Sequence, residues 1–404
     1  MTLDRDARLL FCTRGLRMFG YGFLSVILVL YLAALGLDPA AIGVLLTLTL
    51  LGDAAISLWL TTHADRVGRR RVLLAGSVLM ALAGIGFAST SFLPVLIVAA
   101  TIGVISPSGN EVGPFLAVEQ ASLAQTIPDA RRTSVFAWFN LTGSFSTAFG
   151  ALAGGGLANA LISAGHSQVD SYRAVVLGYV AVAVGLAVVF SMVSGAVEAP
   201  EAADTSVARR LGLHRSQRVV ARLSGLFMLD AFGGGFVVQS LIAYWFHLRF
   251  DADPAVIGGA LFGANLLAGI SSLLAARIAA RIGLVRTMVF THLPSNLLLI
   301  LVPLMPTLPL AVLVLLARFS ISQMDVPTRQ SYTMAVVDPD ERSAAAGVTG
   351  IARSVGAAAA PLAAAPLIGG VVLASLPFVI SGGLKIVYDL LLYRSFRGLS
   401  EHRG

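Results

Sequence analysis

The chain has 404 residues, of which 57% are hydrophobic and only 12% are charged, and its formal net charge is +7. A soluble protein of average composition would have about 25% charged residues. The composition therefore excludes a water-soluble globule and predicts an all-α integral membrane protein. Because the basic residues fall in short loops between apolar stretches, we expect no nucleic-acid partner.

Apolar stretches close to the length of about 20 residues that crosses a bilayer recur along the chain. Arg14 and Arg17 interrupt the first stretch, which lacks a small-residue cleavage site, so we expect a retained span and not a signal peptide. Twelve transmembrane helices are predicted, at 9–35, 40–62, 72–90, 94–122, 134–160, 173–195, 222–247, 254–276, 286–304, 308–335, 343–367 and 372–393.

The basic loop residues indicate the orientation in the membrane. Among the Lys and Arg residues in loops, in tails or at span ends, only Arg173 and Arg249 fall on one side, and the others fall on the side of the two termini. The positive-inside rule therefore predicts that both termini are cytoplasmic. We expect an integral protein of the plasma (inner) membrane.

An internal repeat divides the chain into two related halves. The hexapeptide Asp-Pro-Ala-Ala-Ile-Gly at 38–43 recurs as Asp-Pro-Ala-Val-Ile-Gly at 253–258, with five identities at an offset of 215. We predict two six-helix bundles, 1–195 and 222–404, joined by a polar cytoplasmic linker at 196–221. Because six is even, the bundles share one topology and should be related by a pseudo-twofold axis along the membrane normal, which points to transport.

The loop at 61–71 carries a family signature. Its core, Asp65-Arg66-Val67-Gly68-Arg69-Arg70, resembles the G-x-L-A-D-R-x-G-R-R loop of the major facilitator superfamily, although Thr61 and His63 replace the usual glycine and leucine. The resemblance implies a twelve-helix transporter with a cytoplasmic gate at Asp65, Arg66, Gly68, Arg69 and Arg70. Asp65 would accept hydrogen bonds from a helix N-terminus of the opposite half.

A weaker likeness lies in the fifth span. Residues 150–155, Gly-Ala-Leu-Ala-Gly-Gly, resemble the G-P-x-x-G-G element of antiporters in this superfamily, with alanine in place of proline. Small residues in membrane helices also allow close helix packing. Both interpretations stay open at this point.

Ionisable residues within spans mark candidate sites, because each costs at least about 2.5 to 3.5 kcal/mol at mid-span. Through the repeat, Arg17 corresponds to Asp230 and Glu119 to Arg329, with the charges exchanged, so we predict the ion pairs Arg17–Glu119 and Asp230–Arg329. Spans one, four, seven and ten, which resemble the cavity-lining helices of the superfamily, contain Arg17, Glu111, Glu119, Asp230, Arg318, Asp325 and Arg329. The last three should form one polar stripe on span ten.

Two further interpretations concern coupling. Glu111 and Asn110 lie at 106–114, where two prolines should break span four against protein or water, and Glu111 has no basic partner through the repeat. We therefore take Glu111, with Asp230, as a candidate for proton coupling. Asp53 and Arg353 lie at similar depth and are candidates for an ion pair between the halves that forms in one state and breaks in another.

These features favour a secondary active transporter that works by alternating access, with proton-coupled efflux (antiport) of a drug-like molecule or metabolite as the main interpretation. Import by a proton symporter or facilitator is the closest alternative, and a receptor or lipid scramblase is a more distant one. The sequence has no His-Glu-x-x-His, Gly-x-Ser-x-Gly or Walker-type pattern, so we expect no enzyme. We expect no cofactor or metal, and a monomer whose partners are lipid, protons and a small solute.

Overall fold

The structure, a computed structural model, describes residues 4–111, 113–127, 129–198, 215–338, 341–370 and 373–396. Within these ranges the chain is helical. In chain order its α-helices are α1 (Arg5–Ser25), α2 (Leu28–Ala34), α3 (Pro39–Val67), α4 (Arg69–Ser89), α5 (Leu93–Ile102), α6 (Phe115–Thr126), α7 (Asp129–Ser163), α8 (Gln168–Ser191), α9 (Gln217–Gly235), α10 (Gln239–Phe250), α11 (Pro254–Ile282), α12 (Leu284–Leu301), α13 (Leu308–Ser322), α14 (Asp325–Val336), α15 (Arg342–Ala359), α16 (Pro361–Gly369) and α17 (Leu376–Phe396).

The predicted all-α membrane fold is confirmed. Ten helical segments of the described chain are long and apolar enough to cross a bilayer, and the pair α1 and α2, bent by 40°, gives an eleventh. The remaining predicted span, 94–122, consists of α5 and α6 with an irregular segment between them. Together these segments account for the twelve predicted spans.

Spans one, four, seven, ten and eleven are each built from two helices. The breaks lie at 26–27, 103–114, 236–238, 323–324 and 360. Spans one, four, seven and ten carry the charged residues predicted to line the cavity, whereas Asp53 lies in span two and Arg353 in span eleven. Since broken helices are stable within a membrane only where protein or water satisfies the backbone, the broken spans require polar surroundings at the breaks.

The break in span four is held by hydrogen bonds from neighbouring segments. The Gly113 N–H donates to Oδ1 of Asp53 at 2.6 Å, and the Pro107 carbonyl accepts from the Ser240 N–H at 3.0 Å. Gly109 and Gly113 have φ angles of +68° and +81°, a region that favours glycine. The irregular segment is therefore specifically supported, and it places Glu111 outside any helix.

The repeated hexapeptide marks a helix start in each half. Asp38 caps α3 by accepting the Ala41 N–H at 2.9 Å, and Pro39 occupies the first turn. In the second copy Asp253 directly precedes α11, which begins at Pro254. The element is conserved between the copies because it begins the second span of each half.

The described chain forms two compact units. The N-terminal unit comprises Met1–Ala203 and Val238–Asn265, and the C-terminal unit comprises Asp204–Val237 and Leu266–Gly404. The segment Val238–Asn265, which the repeat assigns to the second bundle, packs within the N-terminal unit. The bundle boundaries drawn from the repeat stay a prediction, and residues 199–214 of the predicted linker lie outside the described residues.

Packing at this segment is close. The Gln239 amide donates to Oγ of Ser25 at 2.7 Å and accepts from the Asn265 amide at 3.0 Å. Where α7 crosses α11, a Cβ added to Gly155 would lie 3.0 Å from Cα of Gly258. The absence of a side chain at both glycines allows the two helices to approach this closely.

Within the C-terminal unit a core of aromatic and aliphatic side chains joins α9, α12, α14 and α17. Its buried members are Leu223, Leu226, Phe227, Val285, Met288, Val289, Tyr332, Tyr388, Leu392 and Phe396. Phe227 and Tyr388 pack edge to face with ring centroids 6.5 Å apart. This core lies beside the charged cluster of the same unit, since Phe227 also contacts the guanidinium of Arg329.

Candidate functional site

A buried charged cluster joins spans one and four in the N-terminal unit; we call its members, Arg14, Arg17, Glu111 and Glu119, the N-cluster. Nη1 and Nη2 of Arg17 donate to the two carboxylate oxygens of Glu119, each at 2.7 Å. Nε of Arg17 donates to Oε1 of Glu111 at 2.9 Å. The predicted Arg17–Glu119 ion pair is present, and Arg17 also forms an ion pair with Glu111.

Glu111 has basic partners that the repeat did not reveal. It contacts Nη1 of Arg14 as well as Nε of Arg17. The repeat relates residues of different halves and is silent about Arg14, which looked only like an interruption of an apolar run. The repeat predicted no basic partner for Glu111, and the two that it has come from span one of the same half.

The two acids of the N-cluster differ in their access to solvent. The Glu111 side chain is 15% exposed, whereas those of Glu119 and Arg17 are 0% exposed. Glu119 also accepts from the Thr13 hydroxyl at 2.8 Å, so its carboxylate is fully enclosed by donors. Asn110, the neighbour of Glu111 in the irregular segment, is exposed.

A second cluster lies in the C-terminal unit around Asp230; we call Asp230, His292, Asn296, Asp325, Arg329, Lys385 and Asp389 the C-cluster. Nη1 of Arg329 donates to Asp230 at 2.9 Å and Nζ of Lys385 donates to it at 2.6 Å. The predicted Asp230–Arg329 ion pair is thus present, with Lys385 as an additional partner. Asp230 compensates two cations at once.

Spans nine and twelve complete the C-cluster, and the sequence interpretation gave them no role. Nδ1 of His292 lies 2.8 Å from Asp389, and the Asn296 amide donates to the same carboxylate at 2.9 Å. Nε2 of His292 lies 3.8 Å from Asp230, so the imidazole connects the two carboxylates. A rule that treats every intramembrane ionisable residue as a candidate would have found His292, Lys385 and Asp389.

The polar stripe predicted on span ten is interrupted. The span was treated as one helix, but α13 ends at Ser322 and α14 begins at Asp325. Within α14, Nη2 of Arg329 lies 3.4 Å from Oδ2 of Asp325, one turn apart. Arg318 lies on α13, where its Nε has no hydrogen-bond partner among the described residues, and its charge interacts only at longer range with Asp325 and Asp230.

Next to the signature loop, the N-terminus of α4 is capped by a carboxylate of the same unit. Glu198 accepts the backbone N–H groups of Arg69 at 2.6 Å and Arg70 at 3.3 Å, at the start of α4. A carboxylate is favoured at a helix N-terminus by the helix dipole. Gly68 has a φ of +103°, which accounts for the glycine of the motif. The side chains of Asp65 and Arg66 lie outside the described residues, so the expected role of Asp65 stays a prediction.

Asp53 and Arg353 belong to different units. Asp53 accepts from the Gly113 N–H and, at 3.4 Å, from the Ser57 hydroxyl. Arg353 is half-buried, and its Nε has no hydrogen-bond partner in the described chain. The ion pair between the halves stays a prediction.

The described residues contain no group of three or more His, Cys, Asp or Glu able to hold a metal ion.

The glycines of the span-five element serve close packing. A Cβ on Gly150 would overlap the Phe19 carbonyl, and one on Gly154 would overlap the Phe23 carbonyl. Span five therefore lies directly against the backbone of span one, the helix that carries Arg14 and Arg17.

Comparison with known proteins gives consistent results. A sequence model described as Major Facilitator Superfamily matches residues 10–361. The uncharacterized membrane protein YJR124C of Saccharomyces cerevisiae is 31% identical over 426 aligned positions, covering 98% of this chain and 95% of that protein.

Two solved transporters have a similar fold. A variant of the nucleoside transporter NupG superposes with a TM-score of 0.77 at 14% identity, covering 97% of this chain and 100% of that one. The D-xylose-proton symporter gives 0.73 at 15% identity, covering 96% and 97%. At these identities the likeness concerns the fold alone.

Proposed function

The chain belongs to the major facilitator superfamily and is a membrane transporter, not an enzyme, and on this premise we propose that it exports a small molecule by proton-coupled antiport. The observation that carries the proposal is the position of Glu111. It is an acid in a broken membrane helix, partly reached by solvent, and it shares a cation with a second acid that is fully enclosed.

A proton carrier must meet water and must change its electrostatic environment when it is protonated. Glu111 satisfies both requirements, since it is 15% exposed and contacts Arg14 and Arg17. Glu119 is 0% exposed and is held by three donors, so we assign it a structural role.

Protonation of Glu111 would remove one negative charge from the N-cluster. Arg17 would keep Glu119 as its counter-ion, whereas Arg14 would lose the carboxylate that it contacts. An uncompensated guanidinium within a membrane favours any rearrangement that gives it water or another anion. The proton would thereby bias spans one and four toward a different arrangement, which is what coupling by alternating access requires.

Asp230 is the second coupling candidate. Its carboxylate serves both Lys385 and Arg329, and His292 joins it to Asp389. Protonation there would leave two cations with reduced compensation. Because Asp230 is only 4% exposed, we rank it behind Glu111 as the group that meets water first.

The remaining parts of the proposal concern placement and direction. The distribution of basic loop residues supports cytoplasmic termini in a plasma (inner) membrane, and we propose a monomeric carrier. The similar D-xylose-proton symporter moves its solute with protons, so import by symport is the alternative direction to test. Export is the direction favoured by the sequence likeness of residues 150–155 to the antiporter element, whose glycines here also pack against span one.

The test is to express the wild type and Glu111→Gln in a host that lacks its own exporters. Intracellular accumulation of a panel of toxic compounds is then recorded with and without a protonophore. We expect the wild type to lower accumulation of at least one compound, and either Glu111→Gln or the protonophore to abolish this. Asp170→Asn, which alters an exposed ion pair with Arg173 at the start of α8, is the matched control and should behave as wild type.

Each other outcome has a distinct meaning. A rise in accumulation caused by the wild type would replace export with import. Export that is insensitive to the protonophore would remove proton coupling. Export that survives Glu111→Gln and fails in Asp230→Asn would move the coupling site to the C-cluster.

A further inference from the structure

Arg318 differs from the other basic residues buried in the spans. Arg17, Arg329 and Lys385 each contact a carboxylate, at 2.7, 2.9 and 2.6 Å. Arg318 is only 8% exposed, and its Nε has no hydrogen-bond partner in the described part of the chain. Its guanidinium lies 4.7 Å from the ring centroid of Phe319, which supplies no negative charge.

A second unpartnered group lies one helical turn further along α13. Ser322 is 5% exposed, and its hydroxyl has no hydrogen-bond partner among the residues described. Residues four apart on a helix share a face, so the Arg318 and Ser322 side chains point to the same side of α13. Asp325, the next acid along the span, lies beyond the helix break and contacts Arg329.

Within the membrane spans of the C-terminal unit the bases outnumber the acids by one, and Glu341, a buried acid just outside these spans, accepts the backbone N–H groups of Arg215 and Ser216. Within spans seven to twelve the buried or half-buried bases are Arg318, Arg329, Arg353 and Lys385, and the acids are Asp230, Asp325 and Asp389, a difference of 4 − 3 = +1. Any protonation of His292 adds to the positive side. One further negative charge would balance these groups.

A buried guanidinium without a hydrogen-bonded counter-ion is unfavourable, and a carboxylate is the partner whose two oxygens match its planar fork. We propose, on the basis of the transport function above, that Arg318 binds the carboxylate of the transported solute and that Ser322 donates a second hydrogen bond. The substrates are then small organic monoanions. Arg318 is the residue that selects them by charge.

The experiment uses matched pairs of probes that differ in charge and little else. Nicotinate and nicotinamide, benzoate and benzamide, and glucuronate and glucose are added at millimolar concentration to the purified full-length protein, and thermal unfolding is followed. Wild type is compared with Arg318→Gln, Arg318→Lys and the exposed control Arg173→Gln.

We expect at least one carboxylate, and not its neutral counterpart, to raise the unfolding temperature of the wild type and of Arg173→Gln. Arg318→Gln should lose this shift, and Arg318→Lys should retain part of it. Without ligand, Arg318→Gln should unfold at or above the wild-type temperature, because it removes a buried charge that has no hydrogen-bonded carboxylate. A purely structural arginine would give the opposite result.

Two outcomes would overturn the assignment. One is an anion response that persists in Arg318→Gln, and the other is the absence of any carboxylate response in a wild type that binds neutral or cationic compounds from the export panel. In either case proton-coupled export of those compounds would still stand. Loss of all transport in the accumulation assay would instead remove the proposed function itself.

Discussion

Arg17 and Glu119 form a two-pronged ion pair in which both N–O distances are 2.7 Å and neither side chain is exposed. The paired geometry matches the planar guanidinium to the planar carboxylate and ties span one to span four. Since the pair is buried away from water, each side chain is stabilised in its charged form by the other.

Breaking this pair should destabilise the protein strongly. Glu119→Gln leaves Arg17 with Glu111 alone, and loss of one partner from a buried ion pair costs about 3 to 5 kcal/mol. Thermal unfolding of the purified protein in detergent would measure this. Glu111→Gln, at a partly exposed acid, should cost clearly less. Equal losses for the two variants would contradict the distinction between a structural and an exchanging acid.

In the C-cluster the order of sensitivity should reflect how many partners each residue serves. Asp230→Asn removes the contacting carboxylate of Lys385 and leaves Arg329 only its longer contact with Asp325, whereas Lys385→Met leaves Asp230 with Arg329. We expect Asp230→Asn to be the more destabilising by about 1 kcal/mol or more. The double variant Asp230→Asn with Lys385→Met should recover part of the loss. If Lys385→Met destabilises the protein more than Asp230→Asn does, Asp230 is not the residue on which the C-cluster depends most.

The crossing of α7 and α11 allows a test with neighbouring glycines as controls. Gly155 and Gly258 face each other closely, whereas Gly156 and Gly259 have no atom within 4 Å of an added Cβ. Gly258→Leu should therefore prevent this contact and reduce transport at least tenfold, while Gly259→Leu stays near wild type. Transport and unfolding temperature are measured for both. Normal transport by Gly258→Leu would show that the contact is not needed in the cycle.

The contact of Glu198 with the signature loop should contribute modestly to stability. Glu198→Ala removes the acceptor for two backbone N–H groups at the start of α4, and loss of such a cap costs about 1 kcal/mol. A lowered unfolding temperature is expected, and Asp170→Ala at an exposed pair serves as the reference. If the two variants unfold alike, Glu198 does not hold the loop.

Much of the architecture could be predicted from the sequence because the bilayer imposes a length and a polarity on each span. The ion pairs of Arg17 with Glu119 and of Asp230 with Arg329 could be predicted as well. Both predictions combined two observations: the charges are exchanged between repeat-related positions, and the two members of each pair lie at equal depth in the membrane. The break in span four was indicated by Pro107 and Pro114.

Other features depend on how helices face one another, which the spacing along one helix does not determine. The contact of Arg14 with Glu111 requires the irregular segment to direct the acid toward span one. The interruption of span ten at 323–324 does have a local signal that sequence reasoning missed, because Pro327 has no N–H to donate to the Gln323 carbonyl four residues earlier. His292 and Asp389 meet across spans nine and twelve, and only tertiary packing brings them together.

The order of the ion-pair partners along the chain affects synthesis. Arg17 is made 94 residues before Glu111 and 102 before Glu119. Asp230 is likewise made 99 residues before Arg329 and 155 before Lys385. A lone charge at mid-span costs at least about 2.5 kcal/mol, so we expect the first span of each half to be held more firmly in the bilayer once the fourth span of the same half has brought the opposite charge.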